Sequence, residues 1–186
     1  GAGTVYAVDV DGDGDIDVIS GSELDDKVAW YENDGASDPS FTTRSITTSA
    51  DAITSVFAAD VDRDGHMDIL SASYNDDKIA WYENTTSAGS VYGWTETSVS
   101  TSSSHNTASD VYATDIDGDG DIDALSSGQN DDKIAWYENN GSQSFTASTI
   151  TTSADHARSV FAIDVDRDGD MDLLSASEYD DKIAWY

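Results

Sequence analysis

The chain has 186 residues, of which 38 are acidic and 8 are basic, and its formal net charge at pH 7 is -30. Its length and 38% hydrophobic content suffice for one folded domain with a core. The few, scattered Lys and Arg residues argue against binding to nucleic acid, an anionic membrane or a polyanionic substrate. The absence of cysteine excludes disulfides and thiolate metal sites.

The first predicted element is a strand, VYAVDV at 5–10, which runs into the acidic stretch DVDGDGDID at 9–17. A second strand, DVIS at 17–20, leads through a GSELDD turn to a third strand, KVAWYE at 27–32. After an ENDG-type turn, a fourth strand follows, FTTRSITT at 41–48. Short β-branched and aromatic runs between Gly, Asn and Asp clusters predict strands, and no useful apolar helical period is present.

This order of elements returns three more times along the chain. The acidic loops start at 9, 60, 115 and 164, and each is followed at a fixed offset by DDK and a tryptophan. The fourth strand recurs from Trp94 and from Phe145, so Trp94 is predicted to pack like Phe41 and Phe145. The longest spacing, between the second and third acidic loops, comes from extra residues around SAGSVYG at 87–93 and STSSSHN at 100–106, which are predicted loops.

Repeats of about 50 residues with four strands each are typical of β-propeller blades. The sequence therefore predicts an all-β protein, a single β-propeller domain over 1–186, with blades at about 4–48, 55–101, 110–152 and 159–186. Copies one and three read DGDGDID, whereas copies two and four read DRDG-x-MD, which indicates duplication of a two-blade unit.

The fourth copy stops at Trp185 and Tyr186 on its third strand, so this last blade lacks its outer strand. Two arrangements stay open. Either four blades close on side-chain packing alone, or a homodimer forms in which each chain supplies half of an eight-bladed ring. The second is favoured because inter-blade angles suited to larger rings are strained in a four-fold one.

Each acidic loop, counted from its first aspartate, has Asp at positions 1, 3, 5 and 9 and Gly at position 6. Alternating carboxylates before a glycine that permits a sharp turn can wrap a hard cation in six or seven oxygens. So many carboxylates on a flexible loop favour Ca²⁺ over Mg²⁺. An EF-hand is excluded because position 12 is Ser and the flanks are strands. The position 7 residues would each offer a backbone carbonyl: Asp15, His66, Asp121 and Asp170.

The motif D-x-D-x-D-G-x-x-D, preceded by V-[FY]-A and followed by K-[IV]-A-W-Y, resembles the FG-GAP/VCBS repeats of integrin-like β-propellers. The resemblance covers nearly the whole chain and implies Ca²⁺ between the first two strands of each blade, about four per chain. This chain departs from such rings, which usually have seven or eight blades. The implied ligands are Asp9, Asp11, Asp13, Asp17, Asp60, Asp62, Asp64, Asp68, Asp115, Asp117, Asp119, Asp123, Asp164, Asp166, Asp168 and Asp172.

Calcium-binding loops stabilise a scaffold, and their presence does not identify the molecule that the protein binds. The first functional hypothesis is a non-enzymatic binding or adhesion module, secreted or on the cell surface, where millimolar calcium keeps weak loops filled. Its working surface would lie opposite the loops and would suit a neutral carbohydrate or a protein partner. The candidate residues are Glu23, Leu24, Tyr74, Asn75, Gln129, Asn130, Glu178, Tyr179 and the segments 51–55, 105–110 and 155–159.

Two other readings stay open. A polysaccharide lyase or hydrolase would use His105, His156, Arg158 and a tyrosine, although no nucleophile and base signature is present. A purely structural scaffold would have no ligand, and Tyr74 and Tyr179 would then pack between blades. The DDK motif is predicted to supply turns and salt bridges through Lys27, Lys78, Lys133 and Lys182.

Overall fold

The computed structural model describes residues 1–86, 92–100 and 107–186. These residues form fifteen strands in four antiparallel sheets and contain no helix. Accordingly, no helix in this part of the chain could cross a membrane. The predicted loops at 87–93 and 100–106 lie mostly outside the described residues.

Each sheet is a meander in which strands pair in chain order. The first sheet contains β1 (Ala2–Val8), β2 (Asp17–Ser22), β3 (Lys27–Asn33) and β4 (Phe41–Thr47). The second contains β5 (Ile53–Ala59), β6 (Asp68–Ser73), β7 (Lys78–Asn84) and β8 (Trp94–Ser100). The third contains β9 (Ala108–Thr114), β10 (Asp123–Gly128), β11 (Lys133–Asn139) and β12 (Phe145–Thr151). The fourth has three strands, β13 (Ala157–Ile163), β14 (Asp172–Ser177) and β15 (Lys182–Trp185).

The first strand starts and ends earlier than the sequence predicts. Its last ladder pair is Val8 with Asp17. Beyond it, the Val10 amide donates to Asp17 Oδ2 at 3.1 Å instead of to a neighbouring strand. The acidic loop therefore begins at Asp9, because a side chain replaces the sheet as the acceptor.

The core lies between successive sheets and forms three separate clusters. The first strands of the sheets are neighbours, so that β1 packs on β5, β5 on β9 and β9 on β13. Between the first two sheets, Trp30 of β3 packs with Val56 of β5. Trp94 packs against the same cluster, which confirms its predicted packing role. In the described residues, β13 makes no comparable contact with β1, so the four sheets form an open arc.

The DDK turns tie each sheet to the next one. The second aspartate of the motif has a left-handed backbone, with φ of 53° at Asp26 and 56° at Asp77. The Asp77 carboxylate accepts the Thr107 amide at 2.6 Å, at the entry to the third sheet. The predicted salt bridge within the motif is present at Lys78, whose Nζ lies 3.7 Å from Asp76 Oδ2, and Lys78 also pairs with Glu96 on β8 at 2.6 Å. The turn thus acts mainly through the aspartate, which bonds to the backbone of the following sheet.

Candidate metal centres and binding face

The aspartates of each acidic loop first bind the loop's own backbone. In the first loop, Asp9 accepts the amides of Gly12 at 2.8 Å and Gly14 at 2.9 Å. Asp11 Oδ1 accepts the Asp13 amide at 3.3 Å. These local bonds favour turns over continued strand. They fold the loop into a tight coil and leave the other oxygen of Asp11 for further contacts.

The glycine at position 6 is required by the backbone of every loop. Its φ lies between 91° and 102° in the four copies: Gly14, Gly65, Gly120 and Gly169. Glycine adopts this region readily, whereas a side chain there is strained. The glycine predicted from the motif to permit a sharp turn does so in all four copies.

Carboxylate oxygens converge in all four loops. In each loop three of them lie within 4.8 Å of one another. Oxygens that share one Ca²⁺ at 2.3 to 2.6 Å are at most about 5 Å apart, so this spacing fits a common ion. The converging sets are Asp9, Asp11 and Asp13; Asp60, Asp62 and Asp68; Asp115, Asp117 and Asp123; and Asp164, Asp166 and Asp172.

A buried acceptor in the second loop supports the same chemistry. Asp60 Oδ1 is buried and accepts no hydrogen bond from the described residues. A buried carboxylate oxygen without a donor is costly, and a cation would satisfy it. Four predicted ligands lie outside the converging sets. One is Asp17, at position 9 of the first loop, and the others are at position 5 of the later loops: Asp64, Asp119 and Asp168. The position 7 residues also lie outside them.

The aspartate at position 9 is the most buried member of the motif. Asp68 is fully buried and accepts the amides of Val61 at 3.0 Å and Asn84 at 2.7 Å. Asp17 and Asp123 repeat both bonds. Burial raises the pKa of Asp68 to about 6, more than the hydrogen bonds lower it. This carboxylate therefore ties the loop to the end of the third strand and needs a compensating positive charge to stay ionised.

The opposite ends of the inner strands surround a cavity of about 290 Å³. Seven-residue strands at about 3.3 Å per residue place it roughly 20 Å from the acidic loops. All four sheets contribute to its lining, and every lining residue except Gly3 belongs to the residues and segments predicted for the binding face. The lining residues are Gly3, Glu23, Ile53, Thr54, Tyr74, Gln129 and Arg158.

A polar and aromatic cluster lies on the fourth sheet at the same face. The Tyr179 ring is exposed and stacks on the His156 ring, with centroids 4.0 Å apart and planes at 6°. Glu178 accepts a hydrogen bond from Arg158 Nε at 2.5 Å and lies 3.6 Å from His156 Nε2. In the described residues, Tyr179 thus stacks on a residue of its own sheet. His105, the third residue of the enzyme hypothesis, lies outside the described residues.

The family model for the FG-GAP-like repeat matches residues 9–71, 64–126 and 115–175, which together cover most of the chain. The chain belongs to the FG-GAP-like repeat family. No curated protein matches its sequence significantly. Among solved structures, it is similar to an Agrocybe aegerita lectin that specifically recognises non-reducing terminal N-acetylglucosamine. The identity is 18% and the TM-score 0.60, over 92% of this chain and 47% of the lectin chain. This likeness concerns the fold, and the chain spans less than half of the lectin's length.

One residue of this FG-GAP-like chain was missed by the motif analysis although the sequence carries a signal for it. Asn84 ends the third strand of the second sheet, and its Nδ2 donates to the Met67 carbonyl at 3.2 Å. Asn33 and Asn139 make the same bond. The signal is the WYEN sequence, which recurs in the first three repeats. The asparagine fixes the strand end whose amide binds the position 9 aspartate.

A second missed residue has no recurring signal. The Tyr92 hydroxyl lies 3.1 Å from both Asp11 Oδ2 and Glu32 Oε1 and shares its hydrogen between them. The Arg44 guanidinium covers the Tyr92 ring at 4.3 Å. Burial is the main reason why the pKa of Asp11 is raised, and the bond from Tyr92 opposes it. Tyr92 thus connects the second repeat to the first acidic loop, and only the first loop has this connection among the described residues.

Proposed function

We propose that this chain is a calcium-braced, non-enzymatic binding module of an extracellular protein, and that the cavity opposite the acidic loops takes a carbohydrate. The observation that carries the proposal is that the two candidate sites lie at opposite ends of the inner strands. Carboxylates converge at one end of the inner strands, and a cavity with tyrosine, glutamine and threonine lies at the other.

Calcium is supported by the donors that each loop offers. They are all oxygens, which suit a hard cation, and their number suits a large, irregular shell. The aspartates at positions 1, 3, 5 and 9 would hold the ion together with the backbone carbonyl at position 7. A ligand at a hundredfold excess over its dissociation constant adds about 2.7 kcal/mol per site. Four sites would add roughly 11 kcal/mol, comparable to the roughly 5 to 15 kcal/mol of a whole domain. Millimolar calcium outside cells would keep such sites filled.

A neutral carbohydrate is supported by the cavity lining and by the sugar-binding lectin with a similar fold. A tyrosine ring provides an apolar surface for the face of a sugar, and amide and hydroxyl groups bind its hydroxyls. Tyr74 would supply the ring, and Gln129 and Thr54 the polar groups. Arg158, the one cation among the described lining residues, is already paired with Glu178, so Glu23 in the same lining would disfavour acidic sugars by like-charge repulsion.

The experiment is a glycan array in calcium, followed by titration calorimetry with an oligosaccharide that ends in N-acetylglucosamine. We expect neutral glycans to bind and Tyr74→Ala to weaken binding at least about tenfold, the effect of about 1.4 kcal/mol. Leu24→Ala is the matched control, because Leu24 is exposed at the same face but does not line the cavity. Equal binding by wild type and Tyr74→Ala would contradict the proposed site.

Catalysis is the competing function. His156 and Arg158 both contact Glu178 in a polar cluster on the fourth sheet. These contacts engage the polar groups that the enzyme hypothesis would use. We expect any bound polysaccharide to be recovered intact. Release of unsaturated product, measured by its ultraviolet absorbance, would replace the binding module with a lyase.

A further inference from the structure

The four acidic loops are alike in sequence, but the position 3 aspartate of the first loop has an additional donor. In every loop this aspartate accepts the amide two residues ahead. In three loops no side-chain donor reaches it among the described residues: Asp62, Asp117 and Asp166. In the first loop, Asp11 Oδ1 accepts the loop amide and Oδ2 accepts the Tyr92 hydroxyl at 3.1 Å. Each oxygen of this carboxylate thus has its own donor, which fixes the orientation of the carboxylate.

The first loop also differs in which carboxylates converge. Its set contains Asp13, at position 5, whereas each of the other sets contains the aspartate at position 9. Asp11 connects the two sides of this arrangement, because it accepts both the Asp13 amide and the Tyr92 hydroxyl. The loop in which position 3 has an additional donor is therefore also the loop with its own set of converging carboxylates.

The Tyr92 ring is held by two neighbouring side chains of the first sheet. It meets the Trp30 ring edge to face, with centroids 4.6 Å apart and planes at 85°. Arg44 covers the Tyr92 ring at 4.3 Å and forms an ion pair with Glu32. Because Trp30 is fully buried and Arg44 is paired, the ring that lies against both has little freedom to move.

These contacts do not recur with the repeat. Among the three four-stranded sheets, only the first has an arginine opposite the tryptophan of its third strand, and the equivalent positions are Thr97 and Ser148. The connection that carries Tyr92, at 85–93, is longer than its counterparts at 34–40 and 140–144. Packing that every sheet needs would be repeated in every sheet, so this cluster is a specific feature of the first loop and the second repeat.

A backbone bond closes the turn that carries Tyr92. The Thr85 amide donates to the Gly93 carbonyl at 2.9 Å, and the amides of Asp34 and Asn140 close the equivalent turns of the first and third sheets. A Cβ at residue 93 would lie 2.6 Å from Thr85 Oγ1, so this close approach requires glycine. Tyr92 directly precedes Gly93, so the position of the Tyr92 side chain and the closing bond depend on each other.

The Tyr92 hydroxyl lies between two carboxylates and has one hydrogen to donate. Asp11 Oδ2 and Glu32 Oε1 are both 3.1 Å away from it. Arg44 balances the charge of Glu32, whereas Asp11 has no ion pair in the described part of the chain. A cation in the first loop would balance Asp11 as well and reduce the repulsion between the two carboxylates. Cation binding in this loop and docking of Tyr92 should therefore favour each other.

We propose that Tyr92 is a positioning residue of the first calcium site and that it couples this one site to the turn of the second repeat. The inference rests on the calcium part of the proposed function and is independent of the carbohydrate. Side chains that orient a metal ligand typically account for 10- to 100-fold in metal affinity, so loss of the hydroxyl should weaken one site about tenfold. Because coupling is reciprocal, calcium should strengthen the docking of Tyr92 by the same factor.

The first test measures calcium affinity by competition with a chromophoric chelator. Tyr92→Phe removes the hydroxyl and keeps the ring against Trp30 and Arg44. We expect the dissociation constant of one site to rise about tenfold while the other sites keep their wild-type values. Tyr31→Phe is the matched control, because the Tyr31 hydroxyl belongs to the first sheet but accepts a hydrogen bond from Ser20 and contacts no acidic loop. It should bind calcium as the wild type does.

The Asp9→Ala background identifies the affected site. Asp9 belongs to the converging set of the first loop and forms no hydrogen bond with Tyr92 in the described residues. On this background, Tyr92→Phe should leave the remaining calcium affinities unchanged. A tenfold loss that persists there, or wild-type affinity in Tyr92→Phe that is folded by circular dichroism, would overturn the inference and leave the calcium brace intact. A wild type that binds no calcium would overturn both.

The second test follows amide exchange of Thr85 by NMR in calcium and in EDTA. The Asn140 amide is the matched control, because it closes the equivalent turn of the third sheet on the Ser144 carbonyl at 3.2 Å. In calcium, Tyr92→Phe should speed exchange of the Thr85 amide about tenfold, and in EDTA much less, while exchange of the Asn140 amide changes little. Equal acceleration of Thr85 in both buffers would show a purely structural contact and would overturn the coupling.

Discussion

Replacing Asp68 with alanine removes the acceptor of two buried amide bonds, from Val61 and Asn84. An unsatisfied buried donor costs roughly 1 to 3 kcal/mol, so the two amides together cost about 4 kcal/mol. The same change also removes a buried charge. Because burial raises the pKa of Asp68 to about 6, its ionised form costs about 3 kcal/mol at pH 7 when no ion is bound.

These two effects oppose each other only without calcium. In EDTA the Asp68→Ala variant should lose about 1 kcal/mol of unfolding free energy, since relief of the buried charge offsets most of the lost bonds. In calcium the wild-type charge is compensated. The variant should then lose at least about 4 kcal/mol, and more from its weakened ion site. Urea unfolding followed by tryptophan fluorescence in the two buffers measures the difference.

Asp172→Ala is the matched control. Asp172 occupies the same motif position in the fourth loop, but it is only half-buried and accepts a single backbone amide, from Val165 at 2.8 Å. The Asp172→Ala variant should lose its ion site, but the loss of backbone hydrogen bonds should lower its free energy of unfolding markedly less. Equal destabilisation by both variants in calcium, or a larger effect of Asp68→Ala in EDTA than in calcium, would refute this reasoning.

Two further predictions concern the turns and the pH dependence. Asp77→Ala removes the acceptor of the Thr107 amide and should lower the free energy of unfolding by about 1 to 3 kcal/mol. Asp181→Ala should change it little, because Asp181 has the same left-handed backbone but accepts no hydrogen bond from the described residues; similar losses in urea unfolding for both would contradict the role of the Asp77 carboxylate. In EDTA the raised pKa of Asp68 means that the folded state binds a proton more tightly than the unfolded one, so stability should rise as the pH falls from about 6 towards 4. In calcium, protonation competes with the ion and stability should fall over the same range, and urea midpoints that move in the same direction in both buffers would contradict this.

Much of the fold was predictable because the same motifs stand at the same spacing in every repeat, which aligns the four repeats with one another. The spacing from acidic loop to DDK to tryptophan is constant, so each hairpin could be placed from local turn chemistry alone. The strand ends were less predictable. Val10 looks like a strand residue, yet it leaves the ladder because the Asp17 carboxylate, seven residues away, accepts its amide.

The candidate site was predictable where it repeats and not where it depends on a contact between repeats. The glycines at position 6 and the converging carboxylates follow from one nine-residue motif. The contact of Tyr92 with Asp11 joins residues 81 positions apart, and no periodic pattern marks it. The motif also did not show that Asp68 would be buried with two amide donors, because burial is set by the packing of sheet on sheet.

The central claim is that recurring aspartates hold the sheets together by sharing divalent cations. The most direct test is the thermal unfolding temperature of the wild type in millimolar calcium and in EDTA. A stabilisation of roughly 11 kcal/mol predicts that EDTA lowers this temperature by well over about ten degrees, since 1 kcal/mol corresponds to about 2 to 4 degrees for a chain of this size. An unfolding temperature that EDTA leaves unchanged would contradict the account.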